Sequence, residues 1–188
     1  LRNQLQAMPD GGKVIISMPL VPYRCPPGPY ERASLIANYL KKHKPKSKVI
    51  LLDANPDVVA KKPLFMKAWS TYYKGIFEYV PGKKVTGVDV ANRTLLVEGI
   101  EEFKGDVVNF IPPQRAAAIA AKAGLVGEDK KWCPVNVTTF ESTLQKNIHV
   151  IGDSATAGAM PKSGYSANSQ AKVCAINLVA LMNGKELT

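Results

Sequence analysis

The chain has 188 residues, of which 46% are hydrophobic and 21% charged, and it carries a net charge of +10. That is ordinary for one globular domain or two small ones, and the longest apolar runs fall far short of the ~20 residues that span a bilayer. Three cysteines and two histidines, with no Cys-x-x-Cys and no zinc-like spacing, argue against a structural metal.

Residues 1–8 read as one or two turns of helix, closed by the turn Pro9-Asp10-Gly11-Gly12. Val14 to Met18 reads as a buried strand. A nucleotide-binding βαβ unit would follow such a strand with a glycine fingerprint, because a pyrophosphate approaches the backbone only where side chains are absent. Here the junction is Pro19-Leu20-Val21-Pro22-Tyr23-Arg24-Cys25-Pro26-Pro27-Gly28-Pro29, a turn suited to presenting a thiol. Pro29 fits the first helical position, and Tyr30, Ala33, Ile36, Ala37 and Leu40 form one apolar stripe.

Val49 to Leu52 is a second strand, so strand, helix, strand predicts a right-handed parallel crossover. Asp53 could hold a ribose hydroxyl, but without the glycine turn it is better read as a cap on the segment starting at Asn55-Pro56. The basic run Lys41 to Lys48 is read as a solvated close to the helix rather than a nucleic-acid patch. Leu64 to Tyr73 reads as a helix with Phe65, Ala68, Trp69 and Tyr72 on one side. From Ile76 to Ile111 short alternating runs predict a β-meander across the sheet, ended by Pro112-Pro113.

Gln114 to Ala123 is alanine-rich and predicted helical. Trp132-Cys133-Pro134-Val135-Asn136 leads into a β-rich run to Phe140, and Ile148 to Ile151 reads as a further buried strand ended by Gly152-Asp153. The last helix is expected from Tyr165 to Met182, capped by Ser163, with Ala167, Ala171, Cys174, Leu178 and Leu181 on one face.

Cys174, on that apolar stripe, reads as a core hydrophobe. Cys25 and Cys133 sit in proline-flanked loops beside strand ends. Arg24 and a helix N-terminus next to Cys25 favour nucleophilic reactivity. Spacing alone leaves three readings open for these two residues: a redox pair, a structural disulfide, or two unrelated thiols. Neither His43 nor His149 completes a Ser/His/Asp arrangement. A strand ending in Gly-Asp before a loop and a long helix is how many flavoproteins place a carboxylate on a ribityl hydroxyl and a helix N-terminus at the flavin.

Several segments together resemble the flavoprotein subunit of flavocytochrome c sulfide dehydrogenase: Val21 to Ala33, Ile111-Pro112-Pro113-Gln114, Cys133-Pro134-Val135, Ile151-Gly152-Asp153 and Met160 to Tyr165. The resemblance implies a three-layer α/β FAD/NAD(P)-binding fold of disulfide-reductase type, with a parallel sheet and a β-meander, incomplete in this chain. Residues 1–113 would form an NAD(P)-like domain lacking its glycine fingerprint, and 114–188 the returning part of the FAD domain. Cys25 and Cys133 would be the redox-active disulfide. Pro112, Pro113, Gly152, Asp153, Lys162, Ser163, Gly164 and Tyr165 would contact FAD.

The family implies sulfide as substrate, a cytochrome c subunit as partner and a periplasmic setting, with no nucleic acid and no membrane span. A sulfide:quinone reductase is the near rival, and a basic binding module with a structural disulfide the rival from another class. No Gly-x-Gly-x-x-Gly occurs in the 188 residues, and the chain opens at Leu1 without the order of a signal peptide, so a partial chain that is inactive alone and binds FAD weakly is expected.

Overall fold

A computed structural model describes residues 1–188, which divide into two units: Leu1–Val21 with Pro27–Pro113, and Pro22–Pro26 with Gln114–Thr188. The sequence reading kept residues 22–26 with the first segment; they group instead with the second.

The first unit contains α1 (Arg2–Ala7), β1 (Lys13–Met18), α2 (Gly28–His43), β2 (Lys48–Asp53), α3 (Lys62–Tyr72), β3 (Phe77–Val80), β4 (Val85–Asp89), β5 (Thr94–Val97), β6 (Glu101–Lys104) and β7 (Val107–Phe110). Four strands make a parallel sheet in the order β3-β2-β1-β7, with Val14 opposite Val49 and Val107. The central strand β1 is buried from Val14 to Met18, as expected of a parallel strand covered on both faces. The predicted stripe on α2 is the buried one, Tyr30, Ala33, Ile36, Ala37 and Leu40. Lys41, Lys42 and His43 close its last turn, where cations suit the negative end of the helix dipole.

The meander is shorter than the sequence suggests. Only β4, β5 and β6 form the antiparallel sheet, whereas the runs at Ile76 and Asp106 supply β3 and β7 of the parallel sheet. Alternation marks a half-buried strand but does not name its partner. Leu95 and Val97 of β5 pack with Ile15 and Leu52 in one core cluster, so the meander covers one face of the parallel sheet.

The second unit holds α4 (Ala118–Lys122), β8 (Cys133–Pro134), a 3-10 turn at Gly152–Ser154, β9 (Ala155–Thr156) and α5 (Gly164–Met182). Three expectations change here. The helix at Gln114 to Ala123 shrinks to α4, because residues 111–117 take no regular structure, Ala117 is extended and Ala116 donates its N–H to the Lys131 carbonyl at 2.7 Å. The run after Pro134 is turn rather than strand, since Asn136 Oδ1 accepts the N–H groups of Thr138 and Thr139 at 2.9 and 3.1 Å. Ile148 and Ile151 are exposed, and the only pairing in that run is a single bridge between Glu141 and His149.

Candidate functional site

Cys25 lies in a turn fixed by its neighbours within the second unit. Tyr23 is buried and donates its hydroxyl to the Pro26 carbonyl at 3.0 Å. Arg24 donates its N–H to Gln114 Oε1 at 2.8 Å and its guanidinium to the Arg115 carbonyl at 2.9 Å. Cys25 itself donates its N–H to the Lys162 carbonyl at 2.7 Å and holds φ at +52°, a left-handed conformation uncommon for a side chain other than glycine, asparagine or aspartate. Its thiol-bearing residue is exposed. The turn is thus held from both sides by hydrogen bonds, with the cysteine at its apex.

Cys133 differs in every respect. It has no solvent exposure, packs with Ala116, Ala120, Leu125 and Trp132, and pairs in β8 opposite Ala155 of β9. Burial pushes its thiol above the ordinary range, the Lys162 ammonium pulls it down, and Asp129 pushes it up. Lys162 is only 8% exposed. Its Nζ donates to the carbonyls of Asp153 and Ala155 at 2.9 and 2.8 Å and sits 3.8 Å from the centre of the Trp132 ring. Burial lowers its basicity, Asp153, Asp129 and Cys133 raise it, and Arg24 lowers it. The carbonyls, the ring and the anionic neighbours are what let an ammonium stand in an apolar site.

Lys162 therefore touches both cysteine segments, one through its carbonyl and the other through its charge. Cys25, Cys133 and Cys174 are free thiols, so the Cys25–Cys133 disulfide that the family resemblance implied is not formed in this structure: one thiol lies at the surface and the other inside an apolar cluster. Cys174 is buried against Val135, Phe140, Ala155 and Ala157, the core role expected of it.

The remaining predicted residues fall in two places. Pro112 and Pro113 belong to the first unit, where they follow β7 as exposed residues. Gly152, Asp153, Ser163, Gly164 and Tyr165 belong with Lys162 in the second. Gly152 has φ +71°, which glycine adopts without strain, and donates its N–H to Gln170 Oε1 at 2.7 Å. Asp153 places Oδ2 at 3.8 Å from Arg24 Nε, while its Oδ1 is buried without a hydrogen-bond partner. Ser163 caps α5, accepting the Ser166 N–H at 3.2 Å, and a Cβ on Gly164 would meet nothing within 4 Å.

These residues fit the flavin the resemblance calls for. A buried carboxylate oxygen lacking a donor suits a ribityl hydroxyl, and open space at Gly164 leaves the positive end of a long helix approachable. Trp132 and Gln114 stand within quoted motifs but were given no role from sequence. The available signal was their position beside Cys133 and Pro113, and neither contact with Lys162 or Arg24 can be read from spacing.

In architecture the chain is similar to a chain of the Tetrahymena thermophila mitochondrial ATP synthase, at 17% identity and TM-score 0.73, covering 99% of this chain and 46% of that one. It is also similar to the sulfide:quinone oxidoreductase of Aquifex aeolicus, at 18% identity and TM-score 0.74, covering 97% of this chain and 46% of that one. A third likeness is to a NAD-dependent persulfide reductase from A. fulgidus, at 16% identity and TM-score 0.63, covering 100% of this chain and 34% of that one. The chain thus spans less than half the length of each, and at such identities the likeness is one of fold, which for the latter two is the FAD/NAD(P)-binding disulfide-reductase type. Residues 1–112 match the family described as sulfide dehydrogenase (flavocytochrome c) flavoprotein chain, central, and with more than half of its length matched the chain belongs to that family of sulfide dehydrogenase flavoproteins.

Proposed function

We propose that the chain supplies the two-cysteine centre of a sulfide-oxidising flavoprotein. The observation that carries this reading is the convergence of Cys25 and Cys133 on Lys162 within one unit. In the oxidised protein Cys25 and Cys133 form a disulfide. Hydrosulfide attacks one sulfur; the S–S bond breaks, a persulfide forms on the attacked cysteine, and the bonding pair stays on the other as a thiolate. Exchange of this kind needs an accessible sulfur and a stabilised leaving thiolate. The exposed Cys25 and the cation beside Cys133 support those two requirements.

FAD, when bound, supplies the two-electron acceptor for the sulfur centre. Asp153 Oδ1 would accept a hydroxyl of the bound flavin, and the α5 N-terminus at Ser163, Gly164 and Tyr165 would offer it positive potential. Pro112 and Pro113 are assigned to the flavin wall by motif position alone. The family match supports a cytochrome c subunit as the partner that takes electrons onward, and a periplasmic site of action is proposed from the oxidising setting that a protein disulfide requires.

The test is sulfide-dependent bleaching of the flavin in the full-length protein. Cys25→Ser and Cys133→Ser are each expected to abolish it while Cys174→Ala leaves it intact. A Cys25→Ser or Cys133→Ser enzyme that turns over normally ends the proposal. Reduction of a c-type cytochrome in preference to a soluble quinone tests the acceptor.

A further inference from the structure

Lys162 carries more of this site than a flavin contact would require. Family resemblance places it with the residues facing the cofactor, yet its ammonium is turned into the protein: onto the Asp153 and Ala155 carbonyls and the face of Trp132, with 8% of the residue exposed. Ala155 is the residue paired with Cys133 across β8 and β9, and Trp132 precedes Cys133 in the chain. The ammonium is thus fixed by the immediate surroundings of Cys133. Through its carbonyl the same residue holds the N–H of Cys25 at 2.7 Å, in the one turn of this unit where a cysteine takes a left-handed backbone.

We propose that Lys162 is a positioning residue for the cysteine pair: its carbonyl sets the Cys25 turn, and its buried ammonium gives Cys133 a fixed counter-charge for the thiolate. The inference rests on the two-cysteine reading above. The charged groups that act on the pair are few. Cys133 faces Lys162 and Asp129; Lys162 faces Asp153, Asp129 and Cys133 on one side of the balance and Arg24 on the other. Cys133 ionises by losing its proton to solvent, and an ammonium held in an apolar cluster is screened far less than one in water, so its removal is felt at the sulfur. Asp129 acts in the opposite sense, and its Oδ1 is already engaged by the N–H groups of Lys131 and Trp132 at 2.8 and 3.1 Å, contacts an asparagine oxygen can keep.

The experiment is a pH titration of the thiolate absorbance of Cys133 in the full-length protein carrying Cys25→Ser and Cys174→Ala. The signal is taken as the difference from the matched Cys133→Ser protein. Lys162→Gln, which keeps a donor for the carbonyls but loses the charge, is expected to move the midpoint up by about one pH unit, about a tenfold loss of thiolate at a fixed lower pH. Lys162→Arg is expected to restore it. Asp129→Asn, with Lys162 untouched, is expected to move it down, and Lys162→Met, also expected to move it up, supplies the decisive measurement should Lys162→Gln not fold. A midpoint indifferent to Lys162→Gln, or one that Lys162→Arg leaves as high as Lys162→Gln does, overturns the proposal. No sulfide or acceptor enters this titration, so a failure here is distinct from normal turnover by Cys→Ser enzymes, which overturns the sulfide reading instead.

Discussion

The carboxylate of Asp53 accepts hydrogen bonds from Tyr30 and Tyr79 hydroxyls at 2.8 and 2.9 Å and from the N–H and Nδ2 of Asn55, both at 2.8 Å. With no exposed surface, it serves the core of the first unit and has nothing to offer a ribose. Asp53→Ala strands several buried donors, each costing about 1–3 kcal/mol, and is expected to destabilise the protein by roughly 3 kcal/mol in urea unfolding. Cys133 and Cys174 make a second residue-level prediction. Burial raises both thiols, so each contributes stability that is present below the ordinary thiol pKa and lost as pH climbs through the raised folded value. The unfolding midpoint should fall on the alkaline side of that range, less steeply in Cys174→Ala; equal slopes in the two proteins would contradict it. The sequence revealed that Asp53 turns back on Asn55, a local event. It could not reveal Tyr79, which arrives 26 positions later.

Among the elements, α2 and α5 show where periodicity suffices and where it misleads. On α2 the apolar stripe and the buried face coincide, and Ala33 and Ala37 have no exposed surface. Ala37→Leu is therefore expected to overpack the helix and cost about 1–3 kcal/mol, read as a lowered denaturation midpoint. On α5 the buried residues are Ser166, Gln170, Cys174 and Asn177, while Ile176, Val179 and Met182 are exposed. Asn177 is satisfied there by the carbonyls of Thr138 and Thr188 and by the N–H and hydroxyl of Thr188, so a polar stripe can be the inner one. A count of apolar residues cannot find such a face. The cap was legible because capping is local: Ser163→Ala is expected to cost about 1 kcal/mol of helix stability.

At the level of the whole chain, the parallel crossover and the Cys25 turn were legible from sequence because each is a contiguous pattern, whereas Cys133, read as a loop residue, is buried in β8 and the strand expected before Gly152-Asp153 does not form. The assembly around Lys162 was not legible. It joins residues 24–25, 114–115, 132–133, 153–155 and 162, segments that only the tertiary fold gathers. No helix is long and apolar enough to cross a membrane, and no group of acidic, histidine or cysteine side chains is placed to hold a metal. Because the 188 residues contain no glycine-rich pyrophosphate turn, the chain by itself is expected to lose FAD on extensive dialysis; a preparation that stays yellow would contradict that.

The positive φ at Cys25 has a consequence for how its chemistry can be dissected. A glycine would adopt that geometry freely, so Cys25→Gly should relieve the backbone and unfold no more easily than the parent, while Cys25→Ser keeps the torsional burden. If the residue is retained for its sulfur alone, durability and turnover will part company at this single site: a sturdier molecule that does nothing.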